Sequence, residues 1–142
     1  SVVEASPELR REIERLPGRK LIYTNGSRAH AERVASRLGV LDLFEDICDI
    51  VACDYVPKPE ADAFKRMVER HGVAPQQAAM FEDMPMNLEA PHALGMTTVL
   101  VHSSYLDHPV QEQMKRWTEL PQHIHHMTLD LTGFLSGCRT SD

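Results

Sequence analysis

The chain has 142 residues, of which 42% are hydrophobic and 25% charged, a composition typical of one soluble globular domain of ordinary size. Its net charge of -6 leaves no basic excess to bind a nucleic acid or an acidic membrane surface, so neither partner is expected. No hydrophobic run approaches the ~20 residues that cross a bilayer. A small phosphorylated substrate remains compatible with this charge, because it needs only one or two local cations.

Apolar periodicity, capping residues and terminal glycines predict helices over residues 7–16, 28–38, 60–71 and 87–94. Short apolar runs predict strands over residues 20–24, 49–53, 78–81 and 97–101. Weaker patterns predict a helix at 110–117, a strand at 124–129 and a terminal helix at 131–135. Because the strands are continuous apolar runs that alternate with helices, we expect a mostly parallel sheet covered on both faces.

Two adjacent carboxylates, Glu82 and Asp83, directly follow the third predicted strand. Acidic side chains at the end of a buried strand are unfavourable unless a cation lies against them. Carboxylate oxygens are hard ligands that suit Mg²⁺, which keeps several of its waters. An N-terminal charge pair for the following helix is an equally good explanation of these two residues taken alone.

Polar residues also follow the first two predicted strands. Thr24, Asn25 and Gly26 come after the first strand, and Lys58 lies between two prolines after the second. The carboxyl ends of parallel strands face one crevice, so these residues and the carboxylates are predicted to share a phosphate and metal site. Taken singly, the first group is better explained as a turn and Lys58 as a solvated loop lysine. Their conjunction at three strand ends favours one site.

The sequence resembles the haloacid dehalogenase superfamily in three segments that occur in the family's order. Motifs II, III and IV correspond to Tyr-Thr-Asn-Gly-Ser (23–27), Lys58-Pro59 and Phe-Glu-Asp (81–83). The resemblance implies an α/β fold, a Rossmann-like three-layer α/β/α arrangement. Receiver domains also combine an acidic pair, a threonine and a Lys-Pro, but there the acidic pair comes first in the chain, whereas here it comes last.

Three sequence segments are, in more detail, similar to the pyrimidine 5′-nucleotidase branch of that superfamily. The similar segments are Asp-Tyr-Val-Pro-Lys-Pro (54–59), Asn87-Leu-Glu and His-Ala-Leu-Gly-Met-Thr-Thr (92–98). The resemblance implies a Mg²⁺-dependent phosphomonoester hydrolase acting through an aspartyl-phosphate, with a nucleoside monophosphate as substrate. It implies that Thr24 and the Asn25 amide bind the phosphoryl group, with Gly26 in the same loop.

The resemblance also assigns roles to the remaining polar residues. Lys58 would neutralise the phosphoryl group and orient the nucleophile, so Thr24 and Lys58 are the expected catalytic residues. Asp83, together with Glu82, would hold Mg²⁺, and Asn87 would brace that loop. The nucleophile belongs to motif I, an Asp-x-Asp run on the family's first strand, and this sequence contains no such run.

The domain organisation implied by the resemblance is a partial one. Residues 1–18 would form the helix leading out of a cap region, and residues 19–142 an incomplete core that lacks the first strand and the cap. We therefore expect no phosphatase turnover from this chain alone. The alternative is a non-catalytic phosphate-binding module completed by another chain. In an autonomous protein, the strands at 20–24 and 78–81 would have to pair directly.

Eight histidines and three cysteines remain to be explained. His125 and His126 are adjacent, so they cannot share one face of a strand or helix, and together with His123 they are predicted to lie in a surface turn or strand end. Cys48 and Cys53 flank an apolar run and are predicted to be buried thiols, which favours a reducing cytoplasm.

Overall fold

The computed structural model describes residues 5–24, 27–49, 60–102 and 110–138. The chain divides into two compact units: unit 1 comprises residues 1–57 and 131–142, and unit 2 comprises residues 58–130. In the described ranges, no helix has the length and apolar character needed to cross a membrane.

Among its described residues, unit 1 contains a two-stranded parallel sheet and three α-helices. Its elements are α1 (Pro7–Arg15), β1 (Leu21–Tyr23), α2 (Arg28–Leu38), β2 (Asp46–Cys48) and α6 (Leu131–Gly137). Ser6 begins α1, since its hydroxyl accepts the backbone N–H of Leu9 over 3.3 Å. Gly39 ends α2 at a φ of 77°, a left-handed conformation that glycine adopts without steric cost.

Unit 2 contains a three-stranded parallel sheet in the order β3-β4-β5. Its elements are α3 (Glu60–Arg70), β3 (Ala79–Glu82), α4 (Glu89–Ala93), β4 (Thr97–Val101), α5 (Val110–Met114) and β5 (His126–Thr128). Leu100, on the central strand, is fully buried against Leu88, Val110, Met114 and Ile124. The single tryptophan, Trp117, packs against this cluster and therefore reports on the folding of unit 2.

Several sequence predictions are confirmed within the described residues. Strand β4 has the predicted bounds, and Phe64, Met67 and Val68 form the buried face of α3 as expected. Cys48 is buried, while Cys53 lies outside the described residues.

Several predicted boundaries differ from the observed ones, and two of them lie next to the candidate site. The strand that pairs with β1 is Asp46–Cys48, which lies ahead of the predicted start at Asp49. Residues 50–53 of the predicted strand lie outside the described ranges. The helix expected from residue 87 begins at Glu89, since Pro85–Leu88 forms a 3₁₀ turn first.

The parallel strands form two separate ladders, β1 with β2 and β3 with β4 and β5. A direct ladder between the first and third predicted strands is therefore not found among the strands that the structure describes. The predicted domain division at residue 18 stays a prediction.

Candidate functional site

Thr24 lies directly after β1 in unit 1. Its backbone N–H donates to the carbonyl of Cys48 over 2.9 Å, which extends the β1–β2 ladder by one bond beyond the paired residues Tyr23 and Cys48. The predicted phosphate ligands Asn25, Gly26 and Lys58 lie outside the described residues. Of the predicted phosphate-binding groups, the structure thus describes Thr24, and it describes the chain again from Ser27 onward.

The start of α2, where the described chain resumes, is held by a residue that the sequence analysis does not single out. The backbone N–H of Arg28, the first residue of α2, donates to Oδ2 of Asp49 over 2.9 Å. Asp49 is 6% exposed and directly follows β2. The signal in the sequence is an acidic residue after the apolar pair Ile47-Cys48, but the apolar pattern predicts that Asp49 begins a strand.

Arg28 adds side-chain contacts to the same segment. Its guanidinium donates to the carbonyl of Ile47 over 2.9 Å and to the carboxylate of Asp46 over 3.3 Å. The backbone of Arg28 therefore binds Asp49, the residue after β2, and its side chain binds two residues of β2 itself.

The predicted metal ligands lie at the end of β3 in unit 2. Glu82 is the last residue of that strand, and its Oε1 accepts the backbone N–H of Met84 over 3.2 Å and the Nδ2 of Asn87 over 3.3 Å. Asp83, the next residue, is exposed. Asn87 thus donates to Glu82 within this loop, and its supporting role stays a prediction.

The electrostatics of this carboxyl pair are unusual. Burial, followed by a hydrogen bond with the Asp83 carboxyl, raises the pKa of Glu82 from 4.5 to about 7. The donors from Asn87 and Met84 act in the opposite direction, because they favour the charged carboxylate. Two carboxyl groups that hydrogen-bond to each other hold a proton between them, and a divalent cation offers an alternative way to neutralise them.

The donor set fits Mg²⁺ in one respect and is incomplete in another. Mg²⁺ is commonly held by one or two carboxylates, with waters and substrate phosphate oxygens completing its shell. Within the described ranges, no group of three or more histidine, cysteine, aspartate or glutamate side chains could hold a metal ion. Glu82 and Asp83 would therefore need water, phosphate or further protein oxygens as additional ligands.

The histidines of the 123–126 segment hold backbone groups of unit 2. The Nδ1 of His125 accepts the backbone N–H of Thr98 over 3.0 Å, so a neutral His125 carries its proton on Nε2. His123 Nε2 lies 2.9 Å from the carbonyl oxygen of Pro85. His126 begins β5, in agreement with the predicted strand end, and His125 is exposed as expected for a surface residue.

Comparison with known proteins defines the family. A sequence profile described as haloacid dehalogenase-like hydrolase matches residues 3–95, about two thirds of the chain and the whole region from Thr24 to Asp83. The chain therefore belongs to the haloacid dehalogenase-like hydrolase family, as its motifs predicted.

One curated relative is the fructose-1-phosphate phosphatase YqaB of Escherichia coli (strain K12), which is 36% identical over 80 residues. The match covers 55% of this chain and 41% of that protein. This chain is thus similar to part of a phosphatase from the same family, and the aligned region spans less than half of the relative.

Solved structures confirm the fold class. The HAD phosphatase from Thermococcus onnurineus superimposes with a TM-score of 0.65 at 21% identity, over 95% of this chain and 60% of that one. The L-2-haloacid dehalogenase from Xanthobacter autotrophicus gives a TM-score of 0.57 at 18% identity, over 96% of this chain and 51% of that one. One neighbour is a phosphatase and the other a dehalogenase, so structural likeness at this identity defines the α/β fold and not the reaction.

Proposed function

We propose that the protein carrying this sequence is a Mg²⁺-dependent phosphomonoester hydrolase, and that its substrate is a pyrimidine nucleoside monophosphate. The reaction would pass through an aspartyl-phosphate on an aspartate that is not among the motifs of this sequence. The chain spans about half the length of the relatives and structures it matches, so the activity is proposed for the natural protein that carries it.

The observation that most supports this proposal is the carboxyl pair at the end of β3. The raised pKa of Glu82, caused by burial and by the hydrogen bond with Asp83, is typical of carboxyls placed to receive a cation or a proton. A dehalogenase acting on a neutral carbon–halogen bond has no comparable need for a cation, whereas a phosphate dianion does. The curated relative, which is a phosphatase by name, supports the same choice.

Each motif residue has a role in the proposed reaction. Thr24 and the amides of Asn25 and Gly26 would donate hydrogen bonds to the phosphoryl oxygens, and Lys58 would neutralise their charge. Asp83 and Glu82 would hold Mg²⁺, which when bound would stabilise negative charge on the transferring phosphoryl group.

The substrate class has one specific competitor. The pyrimidine nucleotide is proposed because the sequences of segments 54–59 and 92–98 resemble the pyrimidine 5′-nucleotidase branch. A sugar phosphate is the second candidate, because the curated relative is named for fructose 1-phosphate.

The test is phosphate release by the natural protein from UMP, CMP and fructose 1-phosphate, with Mg²⁺ and with EDTA. We expect Mg²⁺-dependent release with higher kcat/KM for the pyrimidine nucleotides, and loss of most activity in Asp83→Asn. A preference for fructose 1-phosphate would overturn the nucleotide assignment. Equal activity in EDTA would overturn the role of the metal.

The isolated 142-residue chain provides the complementary experiment. We expect it to bind phosphate without turnover, since it contains no Asp-x-Asp run. Mg²⁺-dependent turnover by this chain would contradict that expectation. A stable complex with another chain, without turnover by the natural protein, would instead support the alternative of a phosphate-binding module completed by a partner. A cytoplasmic location is part of the proposal.

A further inference from the structure

The segment that carries the carboxyl pair is bound in its middle by a histidine from a distant part of the sequence. The Nε2 of His123 lies 2.9 Å from the carbonyl oxygen of Pro85, which comes two positions after Asp83. A carbonyl oxygen can only accept, so the Nε2 of His123 carries a hydrogen and donates it. Both residues belong to unit 2. The contact therefore joins the carboxylate loop, residues 82–88, to a residue 38 positions beyond Pro85.

The backbone of His123 is itself held in place. The hydroxyl of Thr98, which is fully buried on β4, donates to the carbonyl of His123 over 2.7 Å. The next residue, Ile124, is 4% exposed and packs in the hydrophobic cluster around Leu100. A side chain whose own backbone is restrained from two directions can restrain what it binds. His123 is thus a fixed point next to the carboxylate loop.

Contacts inside the carboxylate loop have a different effect. The N–H of Met84 donates to Oε1 of Glu82 over 3.2 Å, and the N–H of Asn87 donates to the carbonyl of Met84 over 3.0 Å. Both bonds join near neighbours in the chain, so they define the turn itself. The bond from His123 instead attaches the turn to the segment that leads into β5. Because Pro85 is buried and its ring fixes φ, this bond sets the direction of the turn.

The orientation of Asp83 depends on that turn. Asp83 is exposed, so the backbone on either side of it does more than packing to decide where its carboxylate lies. A cation that uses this carboxylate has to immobilise it, and a loop already held in the binding conformation lowers the entropic cost of doing so. The loop contact of His123 would therefore favour cation binding without any bond from His123 to the cation.

We propose that His123 is a positioning residue for the carboxyl pair: by donating to the carbonyl of Pro85, it holds the carboxylate loop in the form that presents Glu82 and Asp83 to a divalent cation. This inference rests on the proposed function, in which Mg²⁺ binds at this pair. It assigns to His123 no contact with the metal or the substrate, and it names a residue outside motifs II, III and IV.

The test compares three variants of the natural protein. His123→Gln keeps an N–H donor near the position of Nε2, whereas His123→Phe keeps a planar ring and removes the donor. His71→Phe is the matched control, since His71 Nδ1 lies 3.0 Å from the carbonyl of Met67, also in unit 2 but directly after α3. Cooperative urea unfolding verifies that each variant is folded. If His123→Phe does not fold, His123→Asn, whose amide is one methylene shorter than that of glutamine, takes its place.

The first measurement is hydrogen exchange of the amides of residues 82–88 in protein stripped of metal with EDTA, followed by mass spectrometry of the peptides that cover them. We expect His123→Phe to accelerate exchange about tenfold, because one hydrogen bond that opposes opening of the loop is lost. His123→Gln and His71→Phe should stay within about twofold of the unsubstituted protein, since each keeps a donor to Pro85.

The second measurement is the Kd for Mg²⁺ by titration calorimetry. We expect His123→Phe to bind about fivefold more weakly, a smaller change than in exchange because affinity falls only with the fraction of loop in the binding form. His123→Gln and His71→Phe should bind as the unsubstituted protein does.

Each other result overturns the inference in a distinguishable way. Unchanged exchange or unchanged Mg²⁺ affinity in His123→Phe would reject it while leaving the proposed function intact. Equal effects of His123→Phe and His71→Phe would attribute the change to the stability of unit 2. An equal effect of His123→Gln would reject the donor role. Absence of Mg²⁺ binding by the folded, unsubstituted protein would instead reject the metal role in the proposed function, and the inference with it.

Discussion

The side-chain amide of Asn87 donates to the carboxyl of Glu82 over 3.3 Å and favours its ionisation, which burial and Asp83 oppose. Burial and the neighbouring Asp83 raise the pKa of Glu82 to about 7, although Asn87 and the Met84 N–H act to lower it. Burial therefore has the larger effect. A carboxyl in this state ionises near neutral pH, so its charge responds to pH and to cations in the same range.

The first prediction concerns stability and pH. Because the folded-state pKa of Glu82 is raised from 4.5 to about 7, the folded chain keeps a proton in that window that the unfolded chain releases. The free energy of unfolding of unit 2 should therefore fall as the pH rises from 4.5 to 7. Glu82→Gln removes this dependence and should be more stable than the unsubstituted chain at pH 8 by about 2 kcal/mol, allowing for partial exposure.

Urea unfolding followed by Trp117 fluorescence at pH 5, 6, 7 and 8 measures this difference. Glu119→Gln is the control, because it neutralises an exposed carboxyl in the same unit. Identical pH profiles for Glu82→Gln and the unsubstituted chain would show that Glu82 does not titrate in this window.

The second prediction is competition between protons and Mg²⁺ at the same carboxyl pair. A cation that binds the ionised Glu82 and Asp83 should stabilise unit 2 more at pH 8 than at pH 5, since the proton must leave first. At a free Mg²⁺ concentration ten times its Kd, we expect a gain of about 1.4 kcal/mol at pH 8. Urea unfolding at constant ionic strength, with NaCl replacing MgCl₂ as the control, measures this gain. Asp83→Asn should abolish it, and retention of the full gain in that variant would exclude the pair as the binding site.

The third prediction concerns Thr98, which is fully buried on β4. Its hydroxyl donates to the carbonyl of His123 over 2.7 Å and accepts the backbone N–H of His125 over 3.0 Å. Thr98→Val preserves the shape but leaves these groups without the hydroxyl, which should lower the free energy of unfolding of unit 2 by about 2 kcal/mol. The control Thr97→Val lies on the same strand but is exposed, and it should change stability by less than about 0.5 kcal/mol. Equal effects of both substitutions, measured by Trp117 fluorescence, would contradict this role of the hydroxyl.

The family and the position of the carboxyl pair at the end of β3 could be predicted from sequence because both depend on short local segments. Strand β4 was predicted with its bounds, since five consecutive residues carry an uninterrupted β-prone pattern. Strand β2 was not predicted, because its three residues carry only a short apolar pattern and are followed by the longer apolar run of the predicted strand at 49–53, of which residues 50–53 lie outside the described ranges.

The contacts that the sequence could not predict join residues far apart in the chain. Asp49 accepts the N–H of Arg28, 21 positions earlier, and His125 accepts the N–H of Thr98, 27 positions earlier. Neither pair leaves a local pattern, because a polar residue with a distant backbone partner has the same sequence neighbourhood as one exposed to solvent. The roles of Thr24, Lys58 and Asp83 in one pocket stay a prediction.

The fourth prediction tests the cluster that supports the end of β3. Leu100, at 0% exposure, lies opposite Glu82 in the β3–β4 register, so it is part of the scaffold on which the carboxyl pair is built. Leu100→Ala should lower the free energy of unfolding by about 3 kcal/mol, because it removes buried methyl groups and leaves a cavity. Leu129→Ala is the matched control, since that side chain is 74% exposed and its truncation removes little burial. Urea unfolding monitored at Trp117 gives both values, and a loss below about 1 kcal/mol for Leu100→Ala would mean that the cluster closes around the cavity without cost.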